Sequence, residues 1–457
     1  MNTEEMKMKN FDANVRSKRL NKIIGRSTLV LSIVFWILFM LPSLSSASID
    51  TIAVDVGISV FKTMPIGIVP FDEGKTKIDW IEEKPHQILT RDANLSGRFD
   101  VVAADNFNLP LFSRNGAKHY MTGKVARQKD GKLKVECFLY VAQTKDLLLG
   151  EAYTITQQDL RRAMHSFFDQ VIYRLWGERG VASTKLAYVS KIDGVKQVVV
   201  SDYDGFHRSQ ITRDASISMM PVWMLGNSGL IYVNFKTNRP KLYSKAFGGV
   251  EKALFTHLDQ TYSPAVNPKT GEILFSSTVD GKTDLYLGNM STGKAKKFAY
   301  LKSNQTSPAW SPYASEVLFT SDRGGGPQIY VAGKDGSDMR RVTFMGRYNE
   351  RASWSPEGDR IVYTSMDGGH MNIYTCAIDG SDIVQLTSNA GNNEHPTWSP
   401  DGKLIAFASN RTGTYQIYIM RKDGSNVTRI TNSGENTSPT WSFFYEDLNN
   451  KNKEGKK

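Results

Sequence analysis

The chain has 457 residues, more than one ordinary domain requires. Charged residues make up 23% of it and hydrophobic residues 40%, which excludes a disordered chain and a multispanning membrane protein. Only two cysteines, Cys137 and Cys376, exclude a disulfide scaffold, and a net charge of +11 over this length does not call for a nucleic-acid partner.

The first 47 residues hold seven Lys/Arg against three Asp/Glu. A basic stretch from Lys7 to Arg26 precedes TLVLSIVFWILFML (28–41), an uncharged run of 14 residues, and then Pro42 and SLSSAS. Ser45 and Ala47 fit the −3 and −1 positions of a cleavage site, so the order is that of a secretory signal cut after Ala47. A run of 14 is short against the ~20 residues of a bilayer span. Export follows, and the two cysteines, 239 residues apart, are expected to be buried, unpaired thiols.

Residues 48–178 read as a small α/β domain. MPIGIVPF (64–71) is a buried strand, PHQILTRDANLSG (85–97) a helix from Pro85 to Gly97, and RFDVV a strand. KHYMTGKVARQ and KLKVECFLYVAQ flank Asp130-Gly131 as a hairpin, and LLLGEAYTI adds another strand. Over 159–176, Leu160, Met164, Phe167, Phe168, Val171, Ile172, Leu175 and Trp176 recur at helical spacing, as a core stripe. GERGVAST (177–184) reads as a linker.

Beyond it, one unit recurs six times. Trp223, Val266, Trp310, Trp354, Trp398 and Trp441 are separated by 43, 44, 44, 44 and 43 residues. Val199, Tyr243, Tyr286, Tyr330, Tyr374 and Tyr418 run in register with steps of 44, 43, 44, 44 and 44. Each unit reads as four short strands, with Asp-Gly at Asp335, Asp379 and Asp423 expected as two-residue hairpin turns. That is the signature of propeller blades. The expected fold is mainly β: a six-bladed propeller over 183–442 preceded by the α/β domain. The first unit lacks a Trp strand and the last ends on one, so 438–442 is expected to complete the first blade. The tryptophans are expected between blades. Asp202-Tyr-Asp204-Gly205 reads as a turn and not as a calcium loop, whose further ligands are missing. Residues 443–457 read as a disordered polar tail.

No nucleophile elbow, phosphate-binding glycine loop or His-x-x-x-His pair is present, so neither an enzyme nor a cofactor or metal is expected. A small-ligand-binding or peptidase-related propeller is the alternative.

MPIGIVPF, LTRDANLSGRFDVV, DLRRAMHSFFDQVIYRLWGERG, TKLAYVSK and HPTWSPDGKLIAFASNRTGTYQIYIMRKDGS, in that order, resemble the TolB family of the Tol–Pal system across about residues 50–442. The resemblance implies a monomeric periplasmic scaffold, without nucleic acid, in a complex that spans the envelope during division. It also implies that SIDTIAVDVGISVFKT (48–63), with Ile49, Ile52 and Val54, is an arm for the inner-membrane partner TolA, although the stretch diverges from residue 57 onward. It further implies that the lipoprotein Pal docks at one channel mouth, on loops preceding the Trp strands. These contain Tyr262 and Ser263, Thr306 and Ser307, Glu350 and Arg351, Glu394 and His395, and Thr437 and Ser438. His395 stands where the family commonly has an acid.

Overall fold

The computed structural model describes residues 63–74, 78–80, 83–299 and 303–445. The expected signal, the cleavage site and residues 48–62 of the expected arm lie outside these residues. Among the described residues, no helix is long and apolar enough to cross a membrane.

The first domain is a five-stranded sheet with helices packed against it. Strands β1 (Met64–Ile68), β2 (Phe99–Ala103), β3 (His119–Arg127), β4 (Leu133–Val141) and β5 (Leu147–Ile155) lie in the order β2-β1-β3-β4-β5. β1 is parallel to both neighbours, and β3, β4 and β5 are antiparallel. Helix α1 (Pro85–Ser96) begins on proline, and Gly97 ends it in the left-handed conformation at φ 64°. A short helix, α2 (Leu109–Arg114), was not legible in the sequence pattern. Helix α3 (Leu160–Trp176) buries the expected stripe and stops at Gly177.

Six four-stranded blades follow. Blade 1 consists of Asn436–Trp441, Lys185–Ile192, Val195–Asp202 and Ser209–Gln210, so the last strand of the chain does close the ring. Blades 2 to 6 have innermost strands Ser218–Trp223, Gln260–Val266, Gln305–Trp310, Asn349–Trp354 and Asn393–Trp398. Each innermost strand touches its two counterparts around a central channel.

The repeat marks have separate physical roles. Tryptophans fill the gaps between blades: Trp398 packs on Val362 and Ile373 of blade 5, and Trp354 on Leu318 and Val331 of blade 4. The indole N–H of Trp354 donates to Ala309 O and that of Trp223 to Thr440 O, both at 3.2 Å, on the preceding innermost strand. Tyrosines stack across strands within a blade, as in Phe319–Tyr330 and Phe407–Tyr418, with centroids 6.0 and 5.9 Å apart. A buried polar clasp also links successive blades. Gln416 Oε1 accepts from Thr431 of its own blade at 2.7 Å and from Asn436 of the closing strand at 2.9 Å.

The Asp-Gly turns are three-residue connections, not the expected two. Gly333 N–H donates to Ser337 O at 2.8 Å, and Arg421 N–H to Ser425 O at 2.8 Å. Their glycines answer two demands at once. Gly380 has φ 89°, and a Cβ there would lie 2.4 Å from Val342 O of the preceding blade. Both cysteines are free and buried, as expected.

Phe443–Tyr445, expected within a free tail, are held in place. Asn227 Nδ2 donates to Phe443 O at 2.9 Å, Phe443 N–H returns a bond to Asn227 Oδ1 at 3.0 Å, and Arg179 donates to Tyr445 O at 2.9 Å. Residues 446–457 lie outside the described set.

Trp441 concentrates these closing contacts. It is 7% exposed, packs within the core that holds Leu404 and Ala406, and donates its indole N–H to Thr184 Oγ1 at 2.7 Å. Trp441→Ala should lower unfolding stability by about 3–5 kcal/mol in urea titration. Removal of Asn436–Trp441 should abolish the cooperative transition, whereas Trp310→Ala, at a partly buried site, should cost less.

Candidate protein-interaction site

The sequence-selected pairs lie within the innermost strands, not in loops before them. In each of these strands the ladder to the second strand shifts register, between Thr306 and Ala309 and between Glu394 and Thr397 for example. One residue at each shift adopts positive φ: Met220 53°, Ser263 49°, Ser307 50°, Arg351 52°, His395 56° and Ser438 51°. Five of the six precede proline, and Arg351 precedes Ala352. Proline has no ladder N–H and is tolerated on an edge strand at a bulge. A left-handed non-glycine residue costs about 1–3 kcal/mol, so a ring of six marks a site that the surrounding fold enforces.

The bulges bring together Tyr262, Ser263, Thr306, Ser307, Glu350, Arg351, Glu394, His395, Thr437 and Ser438 at one end of the channel. Tyr262 OH bonds Thr278 and Thr283 at 2.8 and 2.9 Å, and Ser263 donates to Met220 Sδ at 3.6 Å. Tyr348 donates to Glu350 at 2.9 Å, and Tyr415 donates to Glu394. Burial and Glu350 push the Tyr348 phenol up to about 12. Burial, with Arg351 and Lys196 nearby, holds His395 well below the usual histidine range. The sequence reading passed over Met219, Met220 and Val222 of blade 2. Met220 stands before Pro221 as Ser263 stands before Pro264, and that register was the available signal. Ile49, Ile52 and Val54 fall outside the described residues.

The opposite, Trp-bearing end carries the first domain. Arg98 pairs with Asp401 at 3.7 Å and Lys403 with Glu178 at 3.5 Å, and Asn426 donates to Asn94 O at 2.9 Å. Asp401, Lys403 and Asn426 all belong to turns at that end of blade 6. Asp169 of α3 grips the 177–184 segment, accepting from Ala182 and Ser183 N–H at 2.7 and 2.9 Å, and burial pushes its carboxyl up to about 7.

A buried charge cluster completes this seam. Asp92 of α1 accepts from His165 of α3 and from the Tyr203 phenol, each at 2.9 Å. Arg161 pairs with Asp204 and Glu83, and its guanidinium lies 4.0 Å from the Phe206 ring centroid. Asp204 therefore does sit in a turn, as expected, and is fixed there by Arg161. Asp92, His165 and Asp204 approach one another closely enough to hold one cation. Arg161 already places a cation against Asp204 and lies 3.4 Å from His165 Nε2, so the cluster reads as a clasp between the two domains. The cluster itself, with Asp92, Arg161 and His165, escaped the sequence reading, which saw only the Asp204 turn. Arg161 and His165 are four apart on an otherwise apolar stripe, where a polar group must find a partner.

Fold and site together define a class: a six-bladed propeller with an α/β domain on one end of its channel and a bulged side-chain ring at the other. Known proteins of this kind match most of the chain. The profile of the TolB beta propeller domain matches residues 172–373 and 353–455, and that of the TolB amino-terminal domain matches residues 52–147. The chain belongs to the TolB family. The Tol-Pal system protein TolB of Rickettsia africae (strain ESF-5) is 28% identical over 268 residues, 55% of this chain and 60% of that protein. The chain thus aligns with less than two thirds of that relative's length. The Tol-Pal system protein TolB of Polaromonas naphthalenivorans (strain CJ2) is 32% identical over 189 residues, 40% of this chain and 43% of its own. The crystal structure of TolB from Acinetobacter baumannii shares the fold with a TM-score of 0.72 at 24% identity, covering 84% of this chain and 97% of that one.

The seam has a pH signature. Burial opposes charge on His165, but Asp92 and Asp204 together outweigh it and raise its pKa to about 9. A raised histidine stabilises fully below its unfolded pKa of about 6.5 and loses that contribution as pH rises through about 9. Chemical denaturation should show stability falling between these limits, by on the order of 3 kcal/mol. In His165→Gln the decline over the same window should flatten.

Proposed function

We propose that this protein is a periplasmic protein-interaction scaffold of the Tol–Pal complex, acting in outer-membrane integrity and envelope constriction during division. It works as a monomer without chemistry of its own. The bulged end of the channel receives the peptidoglycan-associated lipoprotein Pal, and the 48–63 arm, through Ile49, Ile52 and Val54, engages a TolA-type inner-membrane protein. One observation carries this reading. Six strained inner-strand positions gather aromatic, hydroxyl and charged side chains at the channel end opposite the first domain. Such a mixture of anchors and hydrogen-bonding groups is what a protein interface uses. Family membership supports the same partners. An alternating apolar arm is also suited to adding as a strand to a partner's sheet.

Titration calorimetry of the purified protein with the soluble domain of the Pal-type lipoprotein from the same cell tests the reading. Micromolar or tighter binding is expected, weakened about tenfold or more by the double change Glu394→Ala and His395→Ala. Absence of binding at every salt concentration tried would overturn it. Deletion of 48–63 should abolish capture of the TolA-type domain while leaving the lipoprotein titration unchanged.

A further inference from the structure

The bulged ring is divided by chemistry. Blades 2 and 3 present Met219, Met220, Val222 and Tyr262, which pack with the apolar cluster of those blades. Across the channel, blades 5 and 6 present Glu350, Arg351, Glu394 and His395. Blades 1 and 4, between these sectors, offer the hydroxyls of Thr437, Ser438, Thr306 and Ser307.

Within the charged sector the acids are engaged. Glu394 accepts from Tyr415, and Glu350 accepts from Tyr348 at 2.9 Å and lies 3.8 Å from Arg351 Nε. The bases are less satisfied: Arg351 Nε and His395 Nδ1 are buried without a hydrogen-bond partner. Lys196, from the bulged end of blade 1, acts electrostatically on His395 together with Arg351. The neighbouring closing strand brings only uncharged Thr437 and Ser438, and Glu435 before it pairs with Lys191 at 4.0 Å. On the blade 5 side, Thr364 Oγ1 accepts the backbone N–H of His395 at 3.2 Å. A buried polar atom left unpaired is costly, and two of them beside a further cation leave room for one negative charge.

We propose that Arg351, His395 and Lys196 form an anion site inside the bulged end of the channel, and that its occupant is a carboxylate carried by the docking partner, an Asp or Glu side chain flanked by an apolar residue. The proposal rests on the reading of this end as the docking face and adds the chemistry of what enters it. The carboxylate oxygens accept from Arg351 and the imidazole, and the flanking residue meets the Met219–Tyr262 sector. Burial first, and then Arg351 and Lys196, disfavour charge on His395. The anion offsets the two cations, so the imidazole binds a proton from solvent more readily when the site is occupied. Binding therefore tightens as pH falls.

Two readouts keep this proposal separable from the docking reading. In the first, the purified protein is titrated with malonate as probe, and the His395 imidazole is followed by NMR, assigned by its loss in His395→Asn. Malonate should raise the His395 midpoint by about one unit, a tenfold change in proton affinity, with chloride at equal ionic strength inert. Arg351→Asn should abolish the shift. Asparagine accepts left-handed backbone, so both variants should keep the ring, which an unchanged melting temperature would verify. A His395 titration indifferent to malonate overturns the proposal. In the second, affinity for the lipoprotein domain is measured at two pH values, one well above the His395 midpoint of the bound state and one at that midpoint, which lies below the usual histidine range. Several-fold tightening is expected at the lower pH in the wild type and none in His395→Asn. If the domain fails to bind while malonate shifts His395, the docking reading falls and the anion site stands. If the domain binds equally at both pH values and malonate is inert, the anion site falls and docking stands.

Discussion

Ring closure is the constraint on which the rest of the structure depends. A propeller drawn from one linear chain leaves its first and last blades to meet without a covalent bond, and here blade 1 is built from both ends. Asn436–Trp441 pairs with Lys185–Ile192, and Asn436 reaches Gln416 of blade 6. Trp441 bonds Thr184 of the segment that joins the domains, and Phe443 bonds Asn227 of blade 2. One strand thus closes the ring, pins the connection to the first domain and anchors the next blade. The core around it is continuous, running from Ile66, Phe167 and Phe168 of the first domain through Leu186 and Tyr188 to Leu404 and Trp441. Two domains in the sequence therefore share one interior.

The charge cluster at the seam adds registry to that shared core. Burying Arg161, Asp204, Asp92 and His165 incurs a desolvation cost that apolar residues of equal volume would avoid. The gain is directional. Asp204 reaches Arg161 only when the Asp202–Gly205 turn of blade 1 sits against α3, and Tyr203 meets Asp92 only when α1 is in place. Apolar packing alone tolerates sliding, whereas these contacts define one position of the first domain on the propeller.

Much of this was legible in the sequence because repetition amplifies weak signals. A single Trp-Ser-Pro-Asp-Gly is an ordinary turn, but six marks spaced by 43 or 44 residues fix the blade count. The missing Trp strand before Leu186 gave the phase of closure. The left-handed bulges were illegible because positive φ fell on Met, Ser, Arg and His, with no glycine to announce it, so the inner-strand residues read as loops. The three-residue turns were missed because Asp-Gly serves connections of either length. The seam was missed because its charges lie far apart in sequence, at 92, 161, 165 and 204, and only the fold makes them neighbours.

The bulges also decide how the channel can recognise anything. Each innermost strand is an edge strand, and six such edges facing one channel would offer rows of unpaired backbone groups to any extended chain. Proline removes one donor in five of the six strands, and the left-handed residue before it turns the ladder out of register. Continuous strand addition at this end is thereby blocked. What remains to define this end is one pair of half-buried or buried side chains per blade, held at fixed spacing by the repeat. Geometry at this mouth is thus set by the fold that all six blades share. Chemistry is set separately, by the residue that each blade places at its bulge. Substitution there can change what docks without disturbing the ring, provided the new residue accepts the left-handed backbone.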